Sequence, residues 1–130
     1  MNDLPVLVLF EDGSAELERV ALIIAESLRA QGREVRCGAA SAVSIPDILA
    51  SGLFVLGAEK PSSPSYAELA RVFKGVNLAG RKAAFFGSSG AATAWLRSIC
   101  ADTDLFAATA DLAARRIEGA AIGTWLRGLN

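Results

Sequence analysis

The first hydrophobic run of the chain, Val6–Phe10, contains no polar residue. A strand that is apolar on both faces is covered on both faces, as in a parallel sheet between two layers of helices. After the polar stretch 11–14, apolar residues return at the three- and four-residue spacing of an amphipathic helix. These residues are Leu17, Val20, Ala21, Ile24 and Leu28. The pattern predicts a strand, a tight loop and a helix, which form the first half of a parallel βαβ unit.

Residues with marked backbone preferences lie at both ends of this predicted helix. Asp12 or Ser14 is suited to cap its first free N–H groups, and Gly13 gives the loop a permissive backbone. Gly32 is suited to end the helix. The loop between strand and helix lies where open α/β sheets bind ligands, and a helix N-terminus favours anions.

The rest of the chain alternates between apolar runs and helical patterns. Further strands are predicted at Glu34–Gly38, Leu53–Leu56, Lys82–Phe86 and Leu105–Ala110. Further helices are predicted at Pro46–Ala50, Tyr66–Phe73, Ala91–Cys100 and Leu112–Leu129. Alternating strands and helices predict an α/β fold, a three-layer doubly wound parallel sheet of five strands, with residues 1–130 as a single domain.

Composition narrows the function mainly by exclusion. The 13 basic and 14 acidic residues are too evenly balanced for binding to nucleic acid or to an anionic membrane. No segment approaches the ~20 apolar residues of a membrane span, and we expect no signal peptide. Cys37 and Cys100 are isolated, so a reduced, cytoplasmic location is expected. Because the chain has no histidine, we predict no catalytic and no metal-binding residues.

Four segments carry a family resemblance. The stretch VLVLFEDGSAELERVALIIAESLRAQGREVRCGAAS resembles the first strand, phosphate loop, first helix and second strand of short-chain flavodoxins. DILASGLFVLGAEKPSSPSYAELARVF resembles their third strand and the loop beside the flavin. VNLAGRKAAFFGSSG resembles their fourth strand, and LAARRIEGAAIGTWLRGL resembles their last helix. The resemblance covers nearly the whole chain and implies the strand order 2-1-3-4-5.

The resemblance also implies a cofactor, FMN, at the ends of the first, third and fourth strands, and electron transfer to a redox protein partner. It places the phosphate in the first loop, at Asp12, Gly13, Ser14, Ala15 and Glu16. It places the flavin ring beside the second and third loops, at Ala58, Glu59, Lys60, Pro61, Ser62, Ser88, Ser89 and Gly90.

The matching loops differ from the family pattern. Flavodoxin phosphate loops resemble Ser/Thr-x-Thr-Gly-x-Thr, whereas this chain has DGSAEL, in which only Ser14 keeps a hydroxyl. Glu11, Asp12 and Glu16 add carboxylates, and two like charges ~4 Å apart repel by about 1 kcal/mol in bulk water. Tyr66 is the one ring near the flavin loops. These differences support a second hypothesis, a flavin-free module for protein–protein interaction or regulation, either monomeric or homodimeric.

Simpler interpretations apply to single features. The three carboxylates are expected to cap and neutralise a helix N-terminus, with a cation or substrate site as the alternative. The loop Gly87–Gly90 either binds an anion or only begins a helix. Lys60 is expected to be solvated, and Tyr66 to be a half-buried residue at the start of a helix. Cys37 and Cys100 are expected to be small buried apolar residues. Trp95 and Trp125 are expected to be core or interface residues.

Overall fold

The computed structural model describes residues 4–101, 103–108 and 110–129. Its strands form one parallel sheet and are β1 (Val6–Phe10), β2 (Val35–Ala39), β3 (Leu53–Ala58), β4 (Lys82–Gly87), β5 (Phe106–Ala107) and β6 (Leu112–Ala113). Its α-helices are α1 (Ala15–Ala30), α2 (Ile45–Ala50), α3 (Ala67–Gly75), α4 (Gly90–Cys100) and α5 (Gly119–Gly128). Short 3₁₀ helices lie at Ala40–Ala42 and Pro64–Tyr66. The strand order is β2-β1-β3-β4-β5, as the resemblance implied, and β6 also pairs with β4.

Two apolar layers cover the two faces of the sheet. Alternate strand residues such as Val8, Val55 and Phe86 pack in one layer with α1 and α5. The intervening residues, such as Leu9 and Phe85, pack in the other layer with α3 and α4. Because side chains alternate across a strand, a strand covered on both faces must be apolar throughout. The continuous apolar runs of the sequence are therefore explained, and the predicted three-layer architecture is confirmed.

The boundaries of α1 follow from its end residues. Ser14 is the N-cap, since its hydroxyl accepts a hydrogen bond of 3.3 Å from the N–H of Leu17. Of the two capping candidates in the sequence, Ser14 and not Asp12 takes this position. The chain leaves the helix at Gly32, whose φ of 85° lies in the left-handed region that favours glycine.

The predicted closing helix, Leu112–Leu129, is wrong in its first part. Leu112–Ala113 forms β6 beside Phe86–Gly87, and α5 begins only at Gly119. The fifth strand predicted at Leu105–Ala110 is reduced to Phe106–Ala107, and Thr109 lies outside the described residues. Strand pairing along the open edge of β4 outweighs the helical composition of LAARR, since local propensity is a weak preference.

Other corrections are smaller. The strand predicted at Glu34–Gly38 lies one residue later, at Val35–Ala39, and α2 begins one residue before Pro46. Tyr66 belongs to a 3₁₀ turn and is fully buried, so its prediction as half-buried is wrong. Cys37 is half-buried rather than buried.

Candidate functional site

Three loops meet at the carboxyl ends of β1, β3 and β4. The N–H of Glu11 donates to the carbonyl of Gly57 at 3.0 Å, and the N–H of Ser88 donates to the carbonyl of Ala58 at 3.3 Å. Each loop is thus joined to the neighbouring strand at the point where its own strand ends. This edge contains the residues predicted from the resemblance; Ala58 is buried, whereas Glu59, Lys60, Pro61 and Ser62 are exposed.

Glu11 connects the first loop to the second. One oxygen of its carboxylate, Oε1, accepts hydrogen bonds from the N–H groups of Glu59 and Lys60, at 2.9 and 3.4 Å. Successive backbone N–H groups that converge on one point are a common anion-binding arrangement in proteins. Here the anion is a side chain of the same protein.

Asp12 connects the first loop to the two 3₁₀ helices, Ala40–Ala42 after β2 and Pro64–Tyr66 before α3. Its carboxylate accepts hydrogen bonds from both the backbone N–H, at 3.1 Å, and the hydroxyl of Ser41. The bond from the hydroxyl is the main reason why the pKa of the Asp12 carboxyl lies below its ordinary value. The N–H of Asp12 donates to the hydroxyl of Ser65 at 3.0 Å. Both the charge and the amide of Asp12 are therefore used within the protein.

Glu16 connects α1 to the segment before α5. Arg19 donates two hydrogen bonds to its carboxylate, at 3.0 and 2.7 Å, and the N–H of Ile117 donates a third at 3.0 Å. A guanidinium nitrogen of Arg116, Nη1, lies 3.6 Å from Oε1 of Glu16. The bonded Arg19 guanidinium lowers the pKa of Glu16 to about 2. Unlike Glu11 and Asp12, Glu16 has its charge balanced by neighbouring cations.

We expect Glu16 to make folding stability depend on pH under acidic conditions. Its pKa is lowered from 4.5 to about 2 in the folded protein. A carboxyl with a depressed folded pKa stabilises the fold above its unfolded pKa, and this contribution is lost as the pH falls through the folded value. Glu16→Gln should lower the free energy of unfolding by about 1 kcal/mol at neutral pH. It should also reduce the loss of stability that occurs as the pH falls from 4.5 to about 2.

Urea unfolding over a series of acidic pH values measures this effect. Glu26→Gln is the control, because Glu26 lies on the same helix and makes an exposed ion pair at 3.9 Å with Arg29. An identical pH dependence for Glu16→Gln and the unaltered protein would contradict the assignment.

The N-terminus of α1 retains some capacity for an anion. In the part of the chain that the structure describes, the N–H groups of Gly13, Ala15 and Glu16 have no hydrogen-bond partner. Gly13 and Ala15 are exposed. Three amides at a helix N-terminus attract an anion, but the adjacent Glu11 and Asp12 carboxylates repel it.

The third loop is a helix start. The hydroxyl of Ser89 accepts a hydrogen bond of 3.2 Å from the N–H of Ala92 and caps α4. This geometry favours the simpler of the two interpretations of Gly87–Gly90. Ser88 is half-buried, and Ser89 and Gly90 are exposed.

The residues at this edge do not fit FMN well. Carboxylates stand in the loop where the resemblance places the phosphate, and none of the residues predicted to contact the flavin is aromatic. Tyr66 offers no exposed ring, because it is fully buried and its hydroxyl contacts Leu9 and Gly57. A cavity of about 450 Å³ lies elsewhere, between β4, β5 and α5.

Sequence reasoning located the three carboxylates but missed their partners. The partners are far away along the chain. Asp12 bonds Ser41, 29 residues away, and Ser65, 53 residues away. Glu16 bonds Ile117, 101 residues away. Arg19 was the detectable exception, since a pair three residues apart on a helix is a recognised spacing for an ion pair. The other contacts have no local signal in the sequence.

The comparisons with known proteins support the fold and nothing finer. No family model matches the sequence. No curated protein matches it significantly either. Solved structures match closely: a short-chain flavodoxin associated with a non-canonical PDU bacterial microcompartment has a TM-score of 0.82 at 15% identity, covering 97% of this chain and 96% of that one. Oxidised Flavodoxin 2 from Bacillus cereus has a TM-score of 0.82 at 18% identity, covering 95% and 96%.

A flavodoxin from the domain Archaea is equally similar, with a TM-score of 0.82 at 15% identity and coverage of 97% and 94%. The chain therefore has the flavodoxin-like α/β fold. Within the described ranges, no helix is long and apolar enough to cross a membrane. The same residues include no group of three or more His, Cys, Asp or Glu side chains placed to hold a metal ion.

Proposed function

We propose that this protein works without a flavin, as a flavodoxin-like module that binds a regulatory protein partner in the cytoplasm. One observation supports the proposal: the Glu11 and Asp12 carboxylates lie in the loop where the resemblance places the phosphate, and they are bonded to the protein's own chain. Such a loop repels a phosphate and stays in place without a ligand.

The same bonds give the proposed module a fixed surface. Glu11 holds the second loop, and Asp12 holds Ser41 and Ser65, so the loops at this edge are tied to one another. A partner would meet exposed polar residues of both charges, including Glu59 and Lys60. Binding to a surface that is already ordered avoids the entropy cost of fixing loops.

Electron transfer with bound FMN is the second candidate function. It is favoured by the fold and by the N–H groups of Gly13, Ala15 and Glu16, which have no partner among the described residues. In this alternative, these amides hold the phosphate, and the loops at 58–62 and 88–90 contact the edge of the ring. The partner would then be a redox protein.

Titration of FMN into the purified protein separates the two functions. We expect a colourless preparation with a Kd weaker than about 1 mM, equivalent to less than about 4 kcal/mol of binding free energy. Flavin fluorescence and calorimetry measure this value. Micromolar binding would contradict the proposal and favour electron transfer.

A photo-crosslinking amino acid at position 61 tests the partner in the cell of origin. Pro61 lies in the second loop, and Lys74, which is also exposed, is the control at the end of α3. We expect a discrete crosslinked product from position 61 and none from position 74. Equal labelling, or no product at position 61, would count against a partner at this edge.

A further inference from the structure

We infer that Glu11 and Asp12 are the residues that exclude a phosphate-bearing flavin from this fold, and that their charges, rather than the shape of the loops, cause the exclusion. This inference rests on the proposed function and explains it at the level of two side chains. It makes the loss of flavin binding reversible by substitution.

The backbone at this edge keeps the form of an anion site. The N–H groups of Glu59 and Lys60 both point at one oxygen, Oε1 of Glu11, at 2.9 and 3.4 Å. The N–H groups of Gly13 and Ala15, at the start of α1, have no partner within the described residues. The chain therefore provides amides on both sides of the first loop, and a carboxylate of its own occupies one of the two sets.

The two carboxylates differ from Glu16 in their charge balance. Glu16 is paired with Arg19 and Arg116. Among the described residues, no lysine or arginine forms an ion pair with Glu11 or Asp12. Their hydrogen bonds come from neutral amides and a hydroxyl, which leave the negative charge in place. A phosphate bound beside them would meet two uncompensated like charges.

The hydrogen bonds also explain why the loops do not move away from the charges. Glu11 ties the first loop to the second, and Asp12 ties it to Ser41. Moving either carboxylate away from this edge would break these hydrogen bonds, which carries its own cost. The hydrogen bonds therefore keep both negative charges in place at this edge.

The test compares FMN affinity between variants. Glu11→Gln with Asp12→Ser removes both charges while leaving a side-chain oxygen at each position. Each like charge at ~4 Å costs about 1 kcal/mol, a factor of about five, so the double variant should bind FMN at least about 25-fold more tightly than the unaltered protein. Riboflavin, which lacks the phosphate, should gain little, because the removed term acts on the phosphate.

A matched control removes two charges from α1, the helix that follows the first loop. Glu18→Gln with Glu26→Gln suits this purpose, because Glu18 is exposed in the first turn of α1 and Glu26 is exposed further along it. This control should change FMN affinity less than about 3-fold, since both side chains are exposed and salt screens the interactions of exposed charges. Circular dichroism and urea unfolding show whether each variant is folded.

The outcomes separate the inference from the proposed function. An unaltered protein that binds FMN at micromolar concentration overturns the flavin-free function. In that case, the ratio of the two FMN affinities, double variant to unaltered protein, still tests whether the charges of Glu11 and Asp12 weaken binding. A folded double variant with a ratio near one, or an equal gain in the control, overturns the inference. A gain for riboflavin as large as that for FMN also overturns it, because it would show that space rather than charge was limiting.

Discussion

Gly57→Ala is expected to destabilise the protein by about 1–3 kcal/mol or more, the usual cost of forcing extra atoms into a packed core. Gly57 lies in β3 directly beside Phe86 of β4. A Cβ at position 57 would lie within 3.0 Å of three ring carbons of Phe86. The Phe86 ring is fully buried, so it has no free space into which to move.

Urea unfolding measures this effect, and two further variants establish its cause. Gly38→Ala is the matched control, since Gly38 is also a strand glycine and a Cβ there meets nothing within 4 Å. It should change stability by less than about 0.5 kcal/mol. If the ring is the obstacle, Gly57→Ala should cost less in a Phe86→Leu background than in the unaltered protein. An unchanged cost in that background would refute the explanation.

Tyr66→Phe is expected to lower the free energy of unfolding by about 1–3 kcal/mol, the range for leaving buried polar groups without a partner. The Tyr66 hydroxyl accepts from the N–H of Gly57 at 2.9 Å. Its one O–H proton is shared between two acceptors, the carbonyl of Gly57 at 2.7 Å and the carbonyl of Leu9 at 3.2 Å. One hydroxyl thus joins the ends of β1 and β3 to the 3₁₀ turn before α3.

Tyr66→Leu separates the hydroxyl from the ring. Phenylalanine keeps the edge-to-face contact with Trp95, whose ring centroid lies 6.0 Å away, whereas leucine loses it. An aromatic pair adds about 0.5–1.5 kcal/mol, so leucine should cost more than phenylalanine by about that amount. If phenylalanine is as stable as tyrosine, the hydroxyl does not hold the strand ends.

The buried hydroxyl of Tyr66 should also make folding stability depend on pH under alkaline conditions. Burial raises the pKa of the Tyr66 hydroxyl well above its ordinary value of 10.0. An acid with a raised folded pKa stabilises the fold below its unfolded pKa, so stability should decrease as the pH rises above 10.0. Because Tyr66 is the one tyrosine of the chain, phenolate absorbance should appear together with unfolding. Ionisation in the folded state would contradict this.

Much of the fold could be predicted because its signals are local. The apolar runs at Val6–Phe10 and Lys82–Phe86 are strands in the structure, and Ser14 and Gly32 bound α1. The failure at Leu112–Leu129 has a physical cause. Residues that favour a helix in isolation form β6 instead, because β4 has an unpaired edge beside them. No local pattern reports the presence of that edge.

For the candidate site too, some features could be predicted from the sequence and others could not. The sequence by itself determined that carboxylates replace hydroxyls in the first loop and that no aromatic residue stands in the loops beside it. Charge and ring content are properties of the residue types, so no coordinates are needed to know them.

Only the tertiary structure decided what those carboxylates do. Glu11 was expected to neutralise a helix N-terminus, but it bonds the amides of Glu59 and Lys60 across the sheet edge. Asp12 was a candidate cap, but it bonds Ser41. These partners lie 48, 49 and 29 residues away along the chain. They meet because β1, β2 and β3 are neighbours in the sheet, and pairing between distant strands is decided by the packing of the whole fold.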